Sequence, residues 1–168
     1  MSRRVPACKP HREPVILVCY PVNSIFVNLL TPSDNHRTMA VENKKIKILY
    51  VDDEEINLFI FDQLFRDHLD VVSTTSSEEA LRLLKRPDND LTIVIADQKM
   101  HPISGLTLAS RARHEGITVP FFMLSAFPQT PEIKAALEAG TFNRFFNKPL
   151  DVEAILEEIK SFANGSPT

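Results

Sequence analysis

Short apolar runs alternate with segments of helical periodicity along most of the chain, from Ile46 onward. The runs have the length and the polar boundaries of buried strands, and they cover residues 46–51, 70–75, 91–96, 119–124 and 142–146. A helical pattern follows each run, at residues 55–66, 76–86, 105–114, 130–140 and 151–163. Strict alternation of strands and helices predicts a parallel sheet covered by helices on both faces. The expected fold class is therefore α/β, with a doubly wound, five-stranded (βα)5 sheet.

Three of the predicted strands are apolar at nearly every position, at residues 46–48, 93–95 and 121–124. Strands buried on both faces of a parallel sheet have this pattern, because helices cover both sides of them. We therefore expect these three strands to be the central ones.

Several helix ends carry recognisable capping residues. Ser76, followed by Glu79, predicts a capping box in which the hydroxyl accepts a backbone N–H and the carboxylate reaches back. Thr130 stands before a proline and an acidic residue, which predicts the start of the fourth helix. Gly140 is the expected end of that helix, and Asp151 the expected cap of the fifth.

The first helix has more apolar residues than one core contact requires. Ile56, Ile60 and Leu64 recur at spacings of four and predict the buried face. Three phenylalanines widen that face, at positions 59, 61 and 65. We favour a broad core face, and the alternative is a docking surface for a partner.

Composition and charge exclude several classes of function. Hydrophobic residues make up 43% and charged residues 24% of the 168 residues, as in ordinary globular domains. The chain has four glycines and no glycine-rich nucleotide-binding pattern. From residue 46 onward it carries twelve basic and nineteen acidic residues, which does not suit a nucleic-acid surface. Both cysteines precede residue 46, so we expect no disulfide framework and no cysteine metal site in the domain.

Residues 1–45 have a different character from the rest. Five prolines interrupt any period there, and the apolar stretch at 14–30 is too short and too polar for a membrane span, which needs about 20 apolar residues. We expect no export signal, no membrane association and a cytoplasmic location. The predicted divisions are an extension at 1–45, a domain at 46–164 and a short tail at 165–168. The extension is either disordered or the product of a wrongly assigned start, with Met39 as the true initiator.

Chemically reactive side chains stand at the ends of four of the apolar runs. The pair Asp52 and Asp53 follows the first run, Asp97 the third, Ser125 the fourth and Lys148 the fifth. Because the C-terminal ends of parallel strands share one edge of a sheet, these side chains are expected to converge. Three carboxylates, a hydroxyl and an ammonium predict a site for a divalent cation and a phosphoryl group.

Four motifs stand in order at these strand ends: Val51-Asp52-Asp53-Glu54, Asp97-Gln98-Lys99-Met100 with Gly105 beyond it, Ser125-Ala126, and Lys148-Pro149. From about residue 45 to 163 the chain resembles the receiver domain of bacterial two-component response regulators. The resemblance implies a flavodoxin-like fold of the chemotaxis-regulator type. It also implies a response regulator in a phosphorelay, which switches protein–protein interactions and is not a conventional enzyme.

The resemblance gives Asp97 the role of phosphoacceptor, which becomes a 4-aspartylphosphate. The phosphoryl donor would be a histidine kinase or a histidine phosphotransfer protein. Mg²⁺ would be held by Asp53, Asp97 and the backbone carbonyl of Lys99, with Asp52 acting through a metal-bound water. The cation would relieve repulsion among the carboxylates and neutralise the incoming phosphoryl oxygens.

The remaining roles concern contacts to the phosphoryl group and the switch. Lys148 would pair with a phosphoryl oxygen, and Ser125 would hydrogen-bond the group once it is attached. Phe145 matches the aromatic residue that rotates inward as the loop after strand 4 moves. The resemblance also implies a cis peptide bond before Pro149.

Two departures from the family pattern carry expectations of their own. His101 stands where a proline is usual and Pro102 follows it, so the local turn is expected to differ. Lys99 and Phe127 occupy two positions that control attack of water on the phosphoaspartate. An ammonium and an aromatic ring there predict a comparatively long-lived phosphorylated state.

We interpret the chain as a stand-alone receiver that acts on a downstream protein and does not bind nucleic acid directly. The surface of helix 4, strand 5 and helix 5 is the expected reporter face, and helix 1 the expected docking face for the donor. The alternative is a pseudo-receiver that binds a partner without phosphorylation. A phosphatase with an aspartate nucleophile would need a second Asp two residues after the first, and Lys99 stands there instead.

Overall fold

A computed structural model of the chain describes residues 45–165. The strands are β1 (Ile46–Val51), β2 (Leu69–Thr74), β3 (Ile93–Asp97), β4 (Phe121–Ser125) and β5 (Arg144–Asn147). The helices are α1 (Glu55–Phe65), α2 (Ser77–Leu84), α3 (Gly105–His114), α4 (Pro131–Glu138) and α5 (Val152–Ala163). The expectations for the extension, including the start at Met39, lie outside the described residues.

All five strands are parallel and form one sheet in the order β2-β1-β3-β4-β5. This confirms the predicted (βα)5 sheet, and the three strands expected at its centre lie there. The strand ends differ from the prediction by one to two residues: Asp97 and Ser125 belong to their strands, and β5 begins at Arg144. Within residues 45–165 none of the helices has the length and apolar content that crossing a lipid bilayer requires.

Two apolar clusters cover the two faces of the sheet. Alternate residues of β1 supply both: Leu49 and Val51 pack with α2, α3 and α4, while Ile48 and Tyr50 pack with α1 and α5. The clusters bury β3 and β4 completely and β1 from Ile48 onward, and they pack the helices against both faces of the sheet.

The prediction that Ile56, Ile60 and Leu64 form the buried face of α1 is wrong, whereas two of the phenylalanines expected to widen that face are buried. Ile56, Ile60 and Leu64 are 61%, 45% and 42% exposed, and Phe59 is 61% exposed. The buried residues are Phe61 and Phe65, together with the half-buried Leu58. The helix is apolar on two opposite sides, so spacing alone does not select one of them. On the side with the 58, 61, 65 spacing, Phe61 stacks on Tyr50 of β1 and Phe65 stacks on Phe61, so this side is buried against the sheet.

The caps of the later helices follow the sequence more closely. Thr130 and Asp151 each accept a hydrogen bond from a backbone N–H of the first helical turn, and Gly140 has a positive φ just after α4. The capping box at Ser76 forms only by half. Its hydroxyl accepts from the N–H of Glu79, but its own N–H donates to Thr74 Oγ1 and the Glu79 carboxylate pairs with Arg82.

Candidate functional site

Residues at the C-terminal ends of β1, β3, β4 and β5 come together at one edge of the sheet. The register pairs Asp97 with Leu124 and Ser125 with Asn147, so the ends of these strands lie side by side. Asp52 and Lys148 are the first residues beyond β1 and β5. The convergence expected for the acidic, hydroxyl and ammonium side chains therefore follows from the parallel sheet.

Lys148 is the charge centre of this edge. Its Nζ lies 2.6 Å from Asp97 Oδ1 and 3.0 Å from Asp52 Oδ2. The side chain of Lys148 is 25% exposed, whereas Asp52 and Asp97 are buried. Burial by itself lowers the pKa of Lys148, but hydrogen bonds and charge attraction from Asp97 and Asp52 outweigh it and raise the pKa above the usual value. The lysine therefore stays protonated and holds the two carboxylates close together.

Asp52 accepts four hydrogen bonds. Oδ1 accepts from the N–H of Glu54 at 3.1 Å and from Asn57 Nδ2 at 2.9 Å. Oδ2 accepts from the hydroxyl of Tyr50 at 2.9 Å and from Lys148 Nζ at 3.0 Å. A carboxylate has about four lone-pair positions, so the buried Asp52 is fully occupied in this structure.

Backbone N–H groups hold the other two carboxylates. Asp97 Oδ2 accepts from the N–H of Lys99 at 2.6 Å, and Asp53 Oδ2 accepts from the N–H of His101 at 2.9 Å. The loop after β3 is thereby tied to the loop after β1. The imidazole of His101 is largely exposed, and its Nδ1 lies 3.9 Å from the same Asp53 oxygen.

The three carboxylates line one cavity of about 150 Å³ together with Lys99 and Lys148. Within residues 45–165 no three metal-ligating side chains are already grouped around a common point. The ammonium of Lys148 instead bridges Asp52 and Asp97. The donor chemistry still fits a hard cation, because carboxylate and carbonyl oxygens are the ligands that Mg²⁺ prefers.

Comparison with known proteins identifies the family of the chain. Residues 48–160 match the family model described as the response regulator receiver domain. The chain belongs to the receiver domain family. It is thus a domain of two-component response regulators, and a signalling domain rather than a conventional enzyme.

Relatives show the receiver in larger proteins. The transcriptional regulatory protein GlrR of Escherichia coli (strain K12) is 31% identical over 120 residues, which cover 71% of this chain and 26% of that protein. The sensor histidine kinase RcsC of Escherichia coli is 28% identical over 123 residues, which cover 73% of this chain and 13% of that protein. The chain thus spans only a minor part of either relative.

A solved structure agrees with the fold. The Francisella response regulator 1452 receiver domain matches with a TM-score of 0.64 at 21% identity, over 73% of this chain and 99% of that one. At this identity the likeness concerns the fold alone, and it confirms the flavodoxin-like receiver architecture.

Two residues of the receiver site were missed by sequence reasoning. Tyr50 and Asn57 both donate to Asp52. Spacing contains the signal for Tyr50: side chains two residues apart in extended backbone point to the same face, so a phenol two residues before Asp52 can reach the carboxylate. Asn57 lies on the first turn of α1, which places it above the end of β1.

The two loops beside Asp97 are built alike. The N–H of Lys99 donates to Asp97, and the N–H of Phe127 donates to Ser125 Oγ at 3.0 Å. The side chains of these two donors then meet, with Lys99 Nζ 5.0 Å from the centroid of the Phe127 ring. Phe127 is 55% exposed, so the pair stands at the mouth of the cavity.

A larger cavity of about 470 Å³ adjoins this pair. Ser125 and Phe145 both line it, and Phe145 is half-buried against the cluster on that face of the sheet. The structure thus places both predicted switch residues at one cavity. The peptide bond before Pro149 is cis, as expected, and the bond between His101 and Pro102 is cis as well.

Proposed function

We propose that this receiver accepts a phosphoryl group on Asp97 and changes its protein contacts as a result. The observation that carries the proposal is the position of Lys148, whose ammonium touches Asp97 at 2.6 Å while it is anchored on Asp52. A carboxylate that attacks an anionic phosphoryl group needs a fixed cation beside it, and Lys148 is such a cation at the open edge of the sheet.

The proposed step is a displacement at phosphorus. A carboxylate oxygen of Asp97 forms a bond to phosphorus, the bond to the donor breaks, and the donor atom leaves with the electron pair. Lys148 moves from the carboxylate to a phosphoryl oxygen and stabilises the charge there. Ser125 releases the N–H of Phe127 and donates its own hydrogen to a second phosphoryl oxygen.

Mg²⁺ is the proposed cofactor. Asp53, Asp97 and the backbone carbonyl of Lys99 would hold it, with Asp52 contributing through water because its own lone pairs are occupied. When bound, the ion supplies positive charge that relieves repulsion among the carboxylates and neutralises the incoming phosphoryl oxygens.

Intact mass spectrometry after incubation with acetyl phosphate and Mg²⁺ tests the proposal. We expect one added phosphate on the wild type and none on Asp97→Asn, whose fold is checked by thermal melting. Omission of Mg²⁺ is expected to abolish the addition. A wild-type protein that gains no phosphate would instead support a pseudo-receiver that binds its partner without phosphorylation.

The proposed switch couples Ser125 to Phe145 through the cavity that both line. Movement of Ser125 toward the phosphoryl group draws the loop after β4 inward, and Phe145 turns into the space that the loop leaves. The face formed by α4, β5 and α5 would then present a changed surface to a downstream protein. Whether the receiver works without an attached output domain stays a prediction, since both relatives are longer proteins.

The exposed apolar side of α1 is the proposed docking face for the phosphoryl donor. Ile56, Phe59, Ile60 and Leu64 form this side, and a histidine kinase or phosphotransfer protein would cover it. Ile60 and Leu64 also line a cavity of about 340 Å³ that reaches Lys148, so a protein seated there lies next to the acceptor site. Ile60→Asp is expected to slow transfer from a phosphorylated phosphotransfer protein of the host and to leave labelling by acetyl phosphate unchanged.

A further inference from the structure

Tyr50 is a buried phenol that the proposed phosphoryl transfer does not use. Its ring lies in the cluster between the sheet, α1 and α5, and only 1% of the residue is exposed. Its hydroxyl is directed at the site and donates to Asp52 Oδ2 at 2.9 Å. A purely apolar core position has no need of this hydroxyl, so its function must be sought in the carboxylate that it contacts.

The phenol is held rigidly. Its ring stacks on Phe61 at a centroid distance of 3.9 Å and an angle of 16°, and Phe61 stacks in turn on Phe65. An ionised carboxylate can only accept, so the hydroxyl is the donor of this pair, and the stacked ring fixes its position.

Asp52 Oδ2 is shared between this donor and Lys148 Nζ, which lies 3.0 Å away. Lys148 contacts Asp97 with the same ammonium at 2.6 Å. The position of the ammonium thus depends on how strongly Asp52 attracts it. A phenol that occupies one position on Oδ2 limits this attraction and leaves Lys148 free to face Asp97.

We propose that Tyr50 is a positioning residue for phosphoryl transfer, acting through Asp52 on Lys148. The inference rests on the proposed function, because it concerns the same acceptor site. Without the hydroxyl, Oδ2 of the buried Asp52 has one vacant acceptor position. Lys148 then moves toward Asp52 and away from Asp97, and its contact to the incoming phosphoryl group weakens.

Tyr50→Phe keeps the ring and its stack and removes only the hydroxyl. The rate of phosphorylation by acetyl phosphate is measured by intact mass as a function of Mg²⁺ concentration. We expect the maximal rate to fall about tenfold, the scale of one hydrogen bond to a charged group. The Mg²⁺ concentration for half-maximal rate and the melting temperature are expected to stay close to those of the wild type.

A double-mutant cycle with Lys148→Ala tests the route of the effect. If Tyr50 acts through Lys148, then Tyr50→Phe has little further effect once the ammonium is gone. Losses that multiply in the double variant would overturn the proposal. So would a loss confined to the Mg²⁺ dependence, or a lower melting temperature with an unchanged maximal rate.

Asn57→Ala is the matched control, because it removes a donor from the other oxygen of Asp52. We expect a smaller loss of rate from it than from Tyr50→Phe, since Lys148 does not share Oδ1. Equal losses would contradict a route through Oδ2. A wild-type protein that takes up no phosphate refutes the proposed function itself, whereas equal rates for wild type and Tyr50→Phe refute only this inference.

Discussion

The two halves of the acceptor site are held in different ways. On the α1 side, Asp52 is buried and its four hydrogen bonds come mainly from the side chains of Tyr50, Asn57 and Lys148. On the side of the loops after β3 and β4, Asp97 Oδ2 and Ser125 Oγ each accept one backbone N–H from a loop, and the other Asp97 oxygen contacts Lys148. The α1 half is thus fixed by the core, and the loop half by contacts that a moving loop can release.

This difference separates two tasks within one small site. The residue that anchors a charge near an anion has to stay in place while the reaction proceeds, and the buried, fully hydrogen-bonded Asp52 provides such an anchor for Lys148. A group that must respond to phosphorylation needs two positions of similar energy, and loop contacts at the surface provide those.

The largest effect is expected from the support of the fixed half. Phe61→Ala removes a fully buried ring that stacks on Tyr50, and we expect the free energy of unfolding to fall by about 3–5 kcal/mol. Phe59→Ala, two residues earlier on the exposed side of α1, is the matched control, with an expected change within about 0.5 kcal/mol. Urea unfolding of both variants measures the difference. Similar losses would mean that the exposed side of α1 is buried in the protein.

Lys148 joins the two halves, and its removal affects chemistry more than stability. We expect Lys148→Ala to lower the rate of phosphorylation by acetyl phosphate by about a hundredfold, the usual loss for one charge-stabilising group. We expect a smaller effect on the free energy of unfolding than on this rate. The Lys148 side chain is partly exposed, and water or cations can take its place beside the carboxylates. An unchanged rate at saturating Mg²⁺ would remove Lys148 from the proposed mechanism.

Sequence reasoning predicted the arrangement of the loop half from one rule. Asp97, Ser125 and Lys148 stand at strand ends, and parallel strands of a doubly wound sheet bring those ends to one edge. Each residue therefore had a predictable place before any side-chain contact was known. The cation bridge between Asp97 and Asp52 could not be predicted, because it depends on distances of a few ångströms across three strands.

The fixed half was harder to predict because it depends on the rotation of one helix. Two opposite sides of α1 are apolar, and the spacing of Ile56, Ile60 and Leu64 indicated the wrong one. The side that faces the sheet is the one on which Phe61 stacks on Tyr50. The same rotation brings Asn57 to Asp52, so the error in the helix face also concealed this donor of the site.

Gly105 tests how closely the loop half must pack. A Cβ at this position would overlap the carbonyl oxygen of Asp97 and lie 2.6 Å from Sδ of Met123. Because the oxygen belongs to the backbone of β3, it cannot move aside as a side chain can. We expect Gly105→Ala to lower the free energy of unfolding by about 1–3 kcal/mol. Gly116→Ala is the control. Gly116 lies outside the site, has a positive φ that disfavours a side chain, and leaves a Cβ without a close neighbour, so this variant shows the cost of backbone strain without crowding.

The smallest effect is expected at the mouth of the cavity, where Lys99 and Phe127 meet. If this pair hinders attack of water on the phosphoaspartate, Lys99→Ala should shorten its lifetime by about threefold, the scale of an exposed cation–π contact. The decay of added phosphate after removal of acetyl phosphate, followed by intact mass, measures this.

Phe127→Leu in both backgrounds shows whether the pair acts as a unit. If the Phe127 ring holds the Lys99 ammonium across the mouth of the cavity, Lys99→Ala should have little effect on the lifetime of the phosphoaspartate once the ring is absent. An equal or longer lifetime in Lys99→Ala than in the wild type would contradict shielding by the pair. Water would then reach Asp97 from the loop side whether or not Lys99 and Phe127 are present. Ser125 would be the remaining support for the contrast between a fixed half and an adjustable half of the site.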